Sequence, residues 1–67
     1  MKIILNGNET IFDDRISTIA DLLVSLNIPT SGTAVALNDK VVRKAEHENT
    51  KLAENDRIEI VRAVAGG

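Results

Sequence analysis

A single amphipathic helix, set between two pairs of short strands, is the feature that most constrains how this chain can fold. Thr18 is typical of a helix N-cap, and Asp21 follows three residues later, where its carboxylate can accept hydrogen bonds from the first turn. The apolar residues after the cap are spaced at i, i+3, i+4 and i+7 and share one face: Ile19, Leu22, Leu23 and Leu26. Asn27 is predicted to stop the helix. One apolar helix face requires a sheet to cover it.

Strands are predicted on both sides of this helix. Asn6-Gly7 is a strong hairpin signal, and Asn38-Asp39 indicates a second turn. The predicted strands cover residues 1–5, 10–12, 34–37, 41–43 and 57–64. The polar stretch 45–55 is predicted to be irregular, with Leu52 directed inward.

This order of elements predicts an α+β fold, in which a mixed sheet of about five strands carries one main helix across one face. The first and last strands can lie parallel at the centre, joined by the long crossover. Strand alternation separates the faces. The residues predicted to face the helix are Ile3, Leu5, Phe12, Ile58 and Ile60, and those predicted to face away are Lys2, Ile4, Arg57, Glu59 and Val61. Ile4 and Val61 could then share an exposed apolar patch, which often marks a partner surface.

Length and composition narrow the function. A chain of 67 residues predicts one domain, residues 1–67. The absence of cysteine excludes disulfides, thiol catalysis and Cys-based zinc sites. A net charge of −2, no basic cluster and a single aromatic residue argue against nucleic-acid binding. The lack of cysteine suits a cytoplasmic protein, which we expect here. No apolar run is long enough to span a bilayer, so we expect no membrane contact.

The sequence offers few groups for catalysis. His47 is the only histidine, and its polar surroundings predict a solvated loop residue rather than a metal ligand. Asp13-Asp14 and the pair Glu54 and Asp56 are predicted to form a turn and a loop. We therefore expect a protein that is not an enzyme and that binds no metal or cofactor.

Gly66-Gly67 directly follows the apolar run from Ile58 to Ala65. Glycine is thin and flexible, so residues 65–67 are predicted to form a flexible tail that can enter a narrow site on another protein. The carboxylate of Gly67 is a competent nucleophile toward an activated phosphate, provided that another protein supplies ATP, Mg²⁺ and positioning.

Four segments resemble the sulfur carrier proteins of thiamine biosynthesis, which are ubiquitin-like β-grasp proteins. They are the opening Met-x-Ile-x-Leu-Asn-Gly at 1–7, the helix start at 18–23, Val-Ala-Leu-Asn at 35–38, and the ending at 56–67. The ending is the most specific of the four. Two departures are a turn at 13–17 that is about one residue longer than usual, and Asn55 where the family usually has glycine. Asparagine also tolerates a positive φ.

The resemblance implies a cycle carried out by partner enzymes. An adenylating enzyme uses ATP to form an acyl-adenylate on Gly67, and a sulfur donor such as a cysteine desulfurase converts it to a thiocarboxylate. Thiazole synthase then takes the sulfur. Gly66 and Gly67 would enter the partner sites, with Ala65 and Val64 at the entrance. The residues predicted for the docking face are Ile4, Val61 and Ala63.

Three different functions also fit a chain of this kind. The small subunit of molybdopterin synthase shares the fold and the chemistry, but it usually runs longer and carries Pro-Pro-Val before its final glycines. This chain has Arg62-Ala63-Val64 there, which favours the thiamine carrier. The second function is that of a ubiquitin-like modifier, which forms isopeptide bonds with lysines. The third is that of an interaction module with an incidental tail.

Overall fold

The computed structural model describes residues 1–63, which fold into the predicted mixed sheet with a helix across one face. The elements are β1 (Lys2–Leu5), β2 (Asn8–Ile11), α1 (Ile19–Ser25), β3 (Thr33–Leu37), β4 (Lys40–Val42), a 3₁₀ turn (Lys44–Glu46) and β5 (Arg57–Arg62). The strands lie in the order β2-β1-β5-β3-β4. Strand β5 pairs in parallel with β1 and antiparallel with β3, so the predicted central pair is confirmed.

The core lies between the helix and the inner face of the sheet. The fully buried side chains are Ile19, Leu22 and Leu23 from the helix and Ile3, Val35 and Ile58 from the strands. The other predicted inward residues are partly buried against this cluster: Leu5, Phe12, Leu26, Leu52 and Ile60. Each fully buried aliphatic side chain contributes about 1.5–3 kcal/mol of transfer free energy, so this small cluster supplies much of what favours folding.

Reciprocal hydrogen bonds between Thr18 and Asp21 cap the start of α1. The Thr18 Oγ1 accepts from the Asp21 backbone N–H at 3.1 Å, and Asp21 Oδ2 accepts from the backbone N–H of Thr18 at 3.1 Å. Asp21 Oδ2 also accepts from the Ser17 N–H at 3.0 Å. This arrangement is a capping box, as the sequence predicts.

The helix ends where Asn27 adopts a left-handed conformation, with φ of 59°. The Asn27 N–H donates to the Val24 carbonyl at 3.0 Å, and the Ile28 N–H donates to the Leu23 carbonyl at 2.9 Å. These two bonds form a Schellman motif, which satisfies carbonyls at the helix end. Asn27 therefore ends the helix, as predicted, and lies just beyond its last residues.

The crossover between β4 and β5 is docked on the start of the helix. The Ile19 N–H donates to the Thr50 carbonyl at 3.1 Å, and the Ala20 N–H donates to the His47 carbonyl at 3.0 Å. These are first-turn donors that have no partner within a helix. The crossover therefore supplies acceptors that the helix cannot provide for itself.

The prediction of a solvated His47 is wrong, because this docking buries the residue to 3% exposure. Its Nε2–H donates to the Val42 carbonyl at 3.2 Å, and its Nδ1 has no hydrogen-bond partner within residues 1–63. Its neighbours in the sequence, Glu46 and Glu48, are polar and exposed, so the local pattern did not indicate that the His47 ring points inward. His47 is a packing residue of the crossover.

The strand bounds differ slightly from the predicted ones because both hairpin turns are tight. Asn6 and Gly7 have φ of 48° and 84°, typical of a two-residue type I′ turn, so pairing resumes at once with Leu5 opposite Asn8. Strand β2 therefore covers 8–11 rather than 10–12. Strand β1 begins at 2 and β3 at 33, one residue from the predicted starts, and β4 covers 40–42 rather than 41–43. Strand β5 ends at 62, so predicted residue 63 is not in the strand, and predicted residue 64 lies outside the described residues.

The capping box makes helix stability pH-dependent. Hydrogen bonds from the backbone N–H of Ser17, then of Thr18, lower the pKa of the Asp21 carboxyl below its usual value. A lowered folded-state pKa gives stabilisation that is complete above the unfolded-state pKa and disappears as the pH falls through the folded-state pKa. We expect Asp21→Asn to lower the free energy of unfolding at neutral pH. At an acid pH below the folded-state pKa of Asp21, the substitution should not lower it.

Urea denaturation at the two pH values measures this difference. The control is Glu48→Gln, which removes an exposed carboxylate from the crossover and should change little at either pH. A stability gap between wild type and Asp21→Asn that stayed constant with pH would contradict the assignment.

Candidate functional site

The place where β5 ends is defined by a contact with the loop before β3. The Ala63 N–H donates to the Gly32 carbonyl at 2.7 Å, and Arg62 pairs with Thr33 in the sheet. The predicted tail residues Val64, Ala65, Gly66 and Gly67 lie outside the described residues. Ala63, which we call the root of the tail, is thus bound to the β3 side of the sheet.

The loop that holds this root is itself well ordered by hydrogen bonds. Thr33 Oγ1 donates to the Pro29 carbonyl at 2.6 Å, and the Thr33 N–H donates to the Thr30 carbonyl at 3.1 Å. Gly32 has φ of 72°, and a Cβ added to it would lie 3.8 Å from the Ala63 carbonyl oxygen, an ordinary contact. Backbone conformation, rather than lack of space, favours glycine at this position.

An exposed apolar surface adjoins this root on the side of the sheet away from the helix. Val61 lies opposite Ala34, and Ala36 lies opposite both Glu59 and Val41. Val61 and Val41 are 63% and 77% exposed. We call the residues Ala34, Ala36, Val41 and Val61 the outer apolar face. A shallow groove along Thr33, Val61 and Ala63 continues this face to the root of the tail.

The remainder of the same side is charged. The Arg57 Nη2 lies 2.9 Å from Asp39 Oδ2, and the Lys2 Nζ lies 3.8 Å from Glu9 Oε2. All four side chains are at least one third exposed, so these pairs contribute little to stability. The charged pairs lie on β1 and β2 and where the start of β5 meets the β3–β4 turn, whereas the apolar residues lie on β3, β4 and the later part of β5.

The structure brings together two of the three residues predicted for docking. Val61 and Ala63 line one groove, whereas Ile4 lies opposite Arg57, in a separate groove that Arg57 and Glu59 also line. At about 3.3 Å per residue, the step from Arg57 to Val61 is roughly 13 Å along the strand. Ile4 and Val61 share a side of the sheet but do not form one patch.

Sequence reasoning missed Val41 and the two alanines of the outer apolar face. A signal was present, because Val42 packs inward against the core and its neighbour Val41 must then point outward. The register that places Val41 opposite Ala36 depends on the Asn38-Asp39 turn, whose two residues have φ of 49° and 73°. Reading that turn as a two-residue hairpin connection would have identified the surface.

The carboxylates that were predicted to be structural do support turns. Asp13 Oδ1 accepts from the Arg15 N–H at 2.8 Å, and Asp56 Oδ2 accepts from the Ala53 N–H at 2.7 Å. Across residues 1–63, no three histidine or acidic side chains are grouped so that they could hold a metal ion. No helix in this part of the chain is long and apolar enough to cross a membrane.

The model of the ThiS family matches residues 2–67. The chain belongs to the ThiS family. This confirms the resemblance read from the sequence, and the β-grasp fold agrees with it. No curated protein gave a significant match.

Two solved structures share the ThiS fold of this chain over its whole length. One is the crystal structure of a thiamine biosynthesis protein (ThiS) from Geobacter metallireducens, with 25% identity, a TM-score of 0.85 and 100% of both chains covered. The other is an NMR solution structure of a thiamine biosynthesis protein from the same organism, with 25% identity and a TM-score of 0.82. It covers 100% of this chain and 88% of the other.

The Gly32 contact predicts a local effect on the root of the tail. Gly32→Ala should cost about 1–2 kcal/mol, because alanine is strained at positive φ. It should also speed hydrogen exchange of the Ala63 amide, which donates to the Gly32 carbonyl. Gly7→Ala is the matched control, since Gly7 has φ of 84° and open space around it but lies in the β1–β2 turn rather than in the loop that binds Ala63. Equal acceleration at Ala63 in both variants would contradict the local tether.

Proposed function

We propose that this chain is a sulfur carrier protein whose C-terminal Gly67 is adenylated and then converted to a thiocarboxylate that donates sulfur for thiazole formation in thiamine biosynthesis. The observation that carries the proposal is the ThiS family match, which runs through the glycine ending. The similarity to thiamine biosynthesis proteins over the full chain supports the same pathway.

The chemistry belongs to the Gly67 carboxylate and to partner enzymes. A carboxylate oxygen attacks the α-phosphorus of ATP, and pyrophosphate leaves to give the acyl-adenylate. A persulfide sulfur, from a donor such as a cysteine desulfurase, then attacks the carbonyl carbon and AMP leaves. A thiol reduces the resulting sulfur–sulfur bond and releases the thiocarboxylate. Thiazole synthase then takes that sulfur into the thiazole that it forms.

In this scheme the chain acts as a protein substrate in the cytoplasm, while the adenylating enzyme holds ATP and Mg²⁺. Its own contributions are a sheet for recognition and residues 65–67 as a flexible arm. The four residues after Ala63 span at most about 14 Å when fully extended. The reacting phosphate must therefore lie within roughly that distance of the edge where Ala63 meets the partner.

We propose the outer apolar face as the docking surface for the adenylating enzyme. Val61 and Val41 are branched, exposed and set among small alanines, so a partner side chain can pack closely against them. The face adjoins the root of the tail, so docking there places the arm and the body on the same partner. Ile4, which lies opposite Arg57 among the charged side chains, would lie toward the rim of that surface.

The first prediction of this proposal concerns mass. Incubation with the cognate adenylating enzyme, ATP, a sulfur donor and a thiol should replace one oxygen of Gly67 with sulfur, because the acyl-adenylate is an activated acyl group. Intact-mass spectrometry measures the increase. No change in mass with a demonstrably active enzyme would contradict the carrier role.

Deletion of Gly67 is the control for this reaction. The shortened chain should gain no sulfur, while its thermal midpoint should stay close to that of wild type, because the core is built from residues 3–58. A large loss of thermal stability would show that the ending is structural. Addition of thiazole synthase or of molybdopterin synthase large subunit to the sulfur-loaded chain distinguishes the two pathways.

The docking proposal predicts a position-specific effect of a charge. Val61→Asp should slow sulfur loading severalfold by raising KM, because a carboxylate at the centre of an apolar interface must be desolvated. Val24→Asp is the matched control, since Val24 is 79% exposed on the helix, away from the sheet face. Steady-state kinetics with the adenylating enzyme measures both variants. A KM that rose equally in both, or in neither, would contradict this docking surface.

A further inference from the structure

The side chain of Asn6 binds the backbone of β5 just before the root of the tail. Asn6 Oδ1 accepts from the Ile60 N–H at 2.8 Å, and Asn6 Nδ2 lies 3.4 Å from the Ile60 carbonyl oxygen, to which it donates. The Asn6 backbone N–H donates to the Ile58 carbonyl at 2.8 Å. Asn6 thus binds three successive peptide groups of β5 on its β1 side, from the Ile58 carbonyl to the Ile60 carbonyl.

These bonds replace those that a longer β1 would make. In a parallel ladder, a residue that donates to one carbonyl of its partner strand accepts from the N–H two residues later. Asn6 makes the first bond through its backbone, but its φ of 48° turns the chain away into the hairpin. Its side-chain oxygen then accepts from Ile60 in place of its own carbonyl. The carboxamide therefore extends the parallel ladder past the turn.

The extension matters because β5 continues beyond the end of β1. Strand β1 ends at Leu5, opposite Ile58, whereas β5 continues to Arg62. On the opposite side, β3 pairs with β5 as far as Arg62, and Gly32 holds Ala63. Without the Asn6 side chain, the segment from Ile60 to the root of the tail would be held on one side by β3, with no bond from β1.

We infer that Asn6 is a positioning residue for the tail: its carboxamide fixes the last part of β5 from the β1 side and so sets the direction in which the reactive arm leaves the body. The inference rests on the proposed sulfur carrier function for its effect on the reaction. Its structural half, the fixing of β5 at Ile60, stands on the hydrogen bonds alone.

The fold contains a matched control at the other end of β5. Asn38 holds the same position in the second hairpin, with φ of 49°. Its Oδ1 accepts from the Arg57 N–H at 2.9 Å, and its Nδ2 donates to Asp56 Oδ1 at 3.0 Å. Asn38 thus makes a comparable carboxamide contact with β5, but at the end of the strand that is farther from the tail.

The experiment compares Asn6→Gly with Asn38→Gly. Glycine accepts the positive φ of both turns, so each variant removes a carboxamide and keeps the hairpin. We expect Asn6→Gly to speed hydrogen exchange of the Ile60 amide by about fivefold beyond any global change, and Asn38→Gly to do the same at Arg57. With the adenylating enzyme, Asn6→Gly should lower kcat by about tenfold with little change in KM, because the docking face is intact while the arm is misdirected.

Asn6→Asp tests the atomic detail and guards against a fold defect. Aspartate tolerates the same backbone conformation and keeps the oxygen that accepts from Ile60, but it places a second oxygen beside the Ile60 carbonyl, so it should restore part of the protection of the Ile60 amide and part of kcat. Unchanged exchange at Ile60 in Asn6→Gly would overturn the structural half. An equal loss of kcat in Asn38→Gly would overturn the positioning role, since the effect would then follow stability.

A wild-type chain that gained no sulfur would contradict the proposed function and, with it, the effect of Asn6 on the reaction. Exchange at Ile60 would still decide whether Asn6 fixes β5. The failure of the function and the failure of the positioning role are therefore separate observations.

Discussion

The two-sided pairing of β5 is the constraint on which the rest of the structure depends. This strand is the last in sequence yet central in the sheet, with β1 on one side and β3 on the other. Its Ile58 is fully buried in the core, and its backbone N–H groups donate to the side chains of both hairpin asparagines, Asn6 and Asn38. Until β5 is in place, the two hairpins are separate two-stranded ribbons, which are marginally stable in water.

The helix depends on the same long-range closure. Its seven residues are too few for a stable isolated helix, so its stability comes from caps and burial. The backbone N–H groups of Ile19 and Ala20, in the first turn, donate to carbonyls of the crossover. The crossover is itself held in place because its chain continues directly into β5. Helix, crossover and last strand therefore form one cooperative unit around a small aliphatic core.

Most of the fold was readable from the sequence because its signals are local. The capping residues, the spacing of Ile19, Leu22 and Leu23, and the two asparagine turns each act within a few residues, and all were correctly predicted. His47 was not, because its burial depends on a helix start that is distant in the sequence. The same holds for the side-chain role of Asn6, whose partner Ile60 is 54 residues distant. The candidate site was half predicted: Val61 followed from alternation, whereas its separation from Ile4 required the register of the parallel pair.

The pairing of β5 with a strand on each side also determines how the molecule bears a pull on its C-terminal arm. A partner that drew the arm into a narrow site would apply tension along β5, in the direction of the strand. Tension in that direction loads the cross-strand bonds in shear, so they resist together rather than opening one after another from an end. This architecture lets the arm be gripped firmly while the body of the protein stays folded.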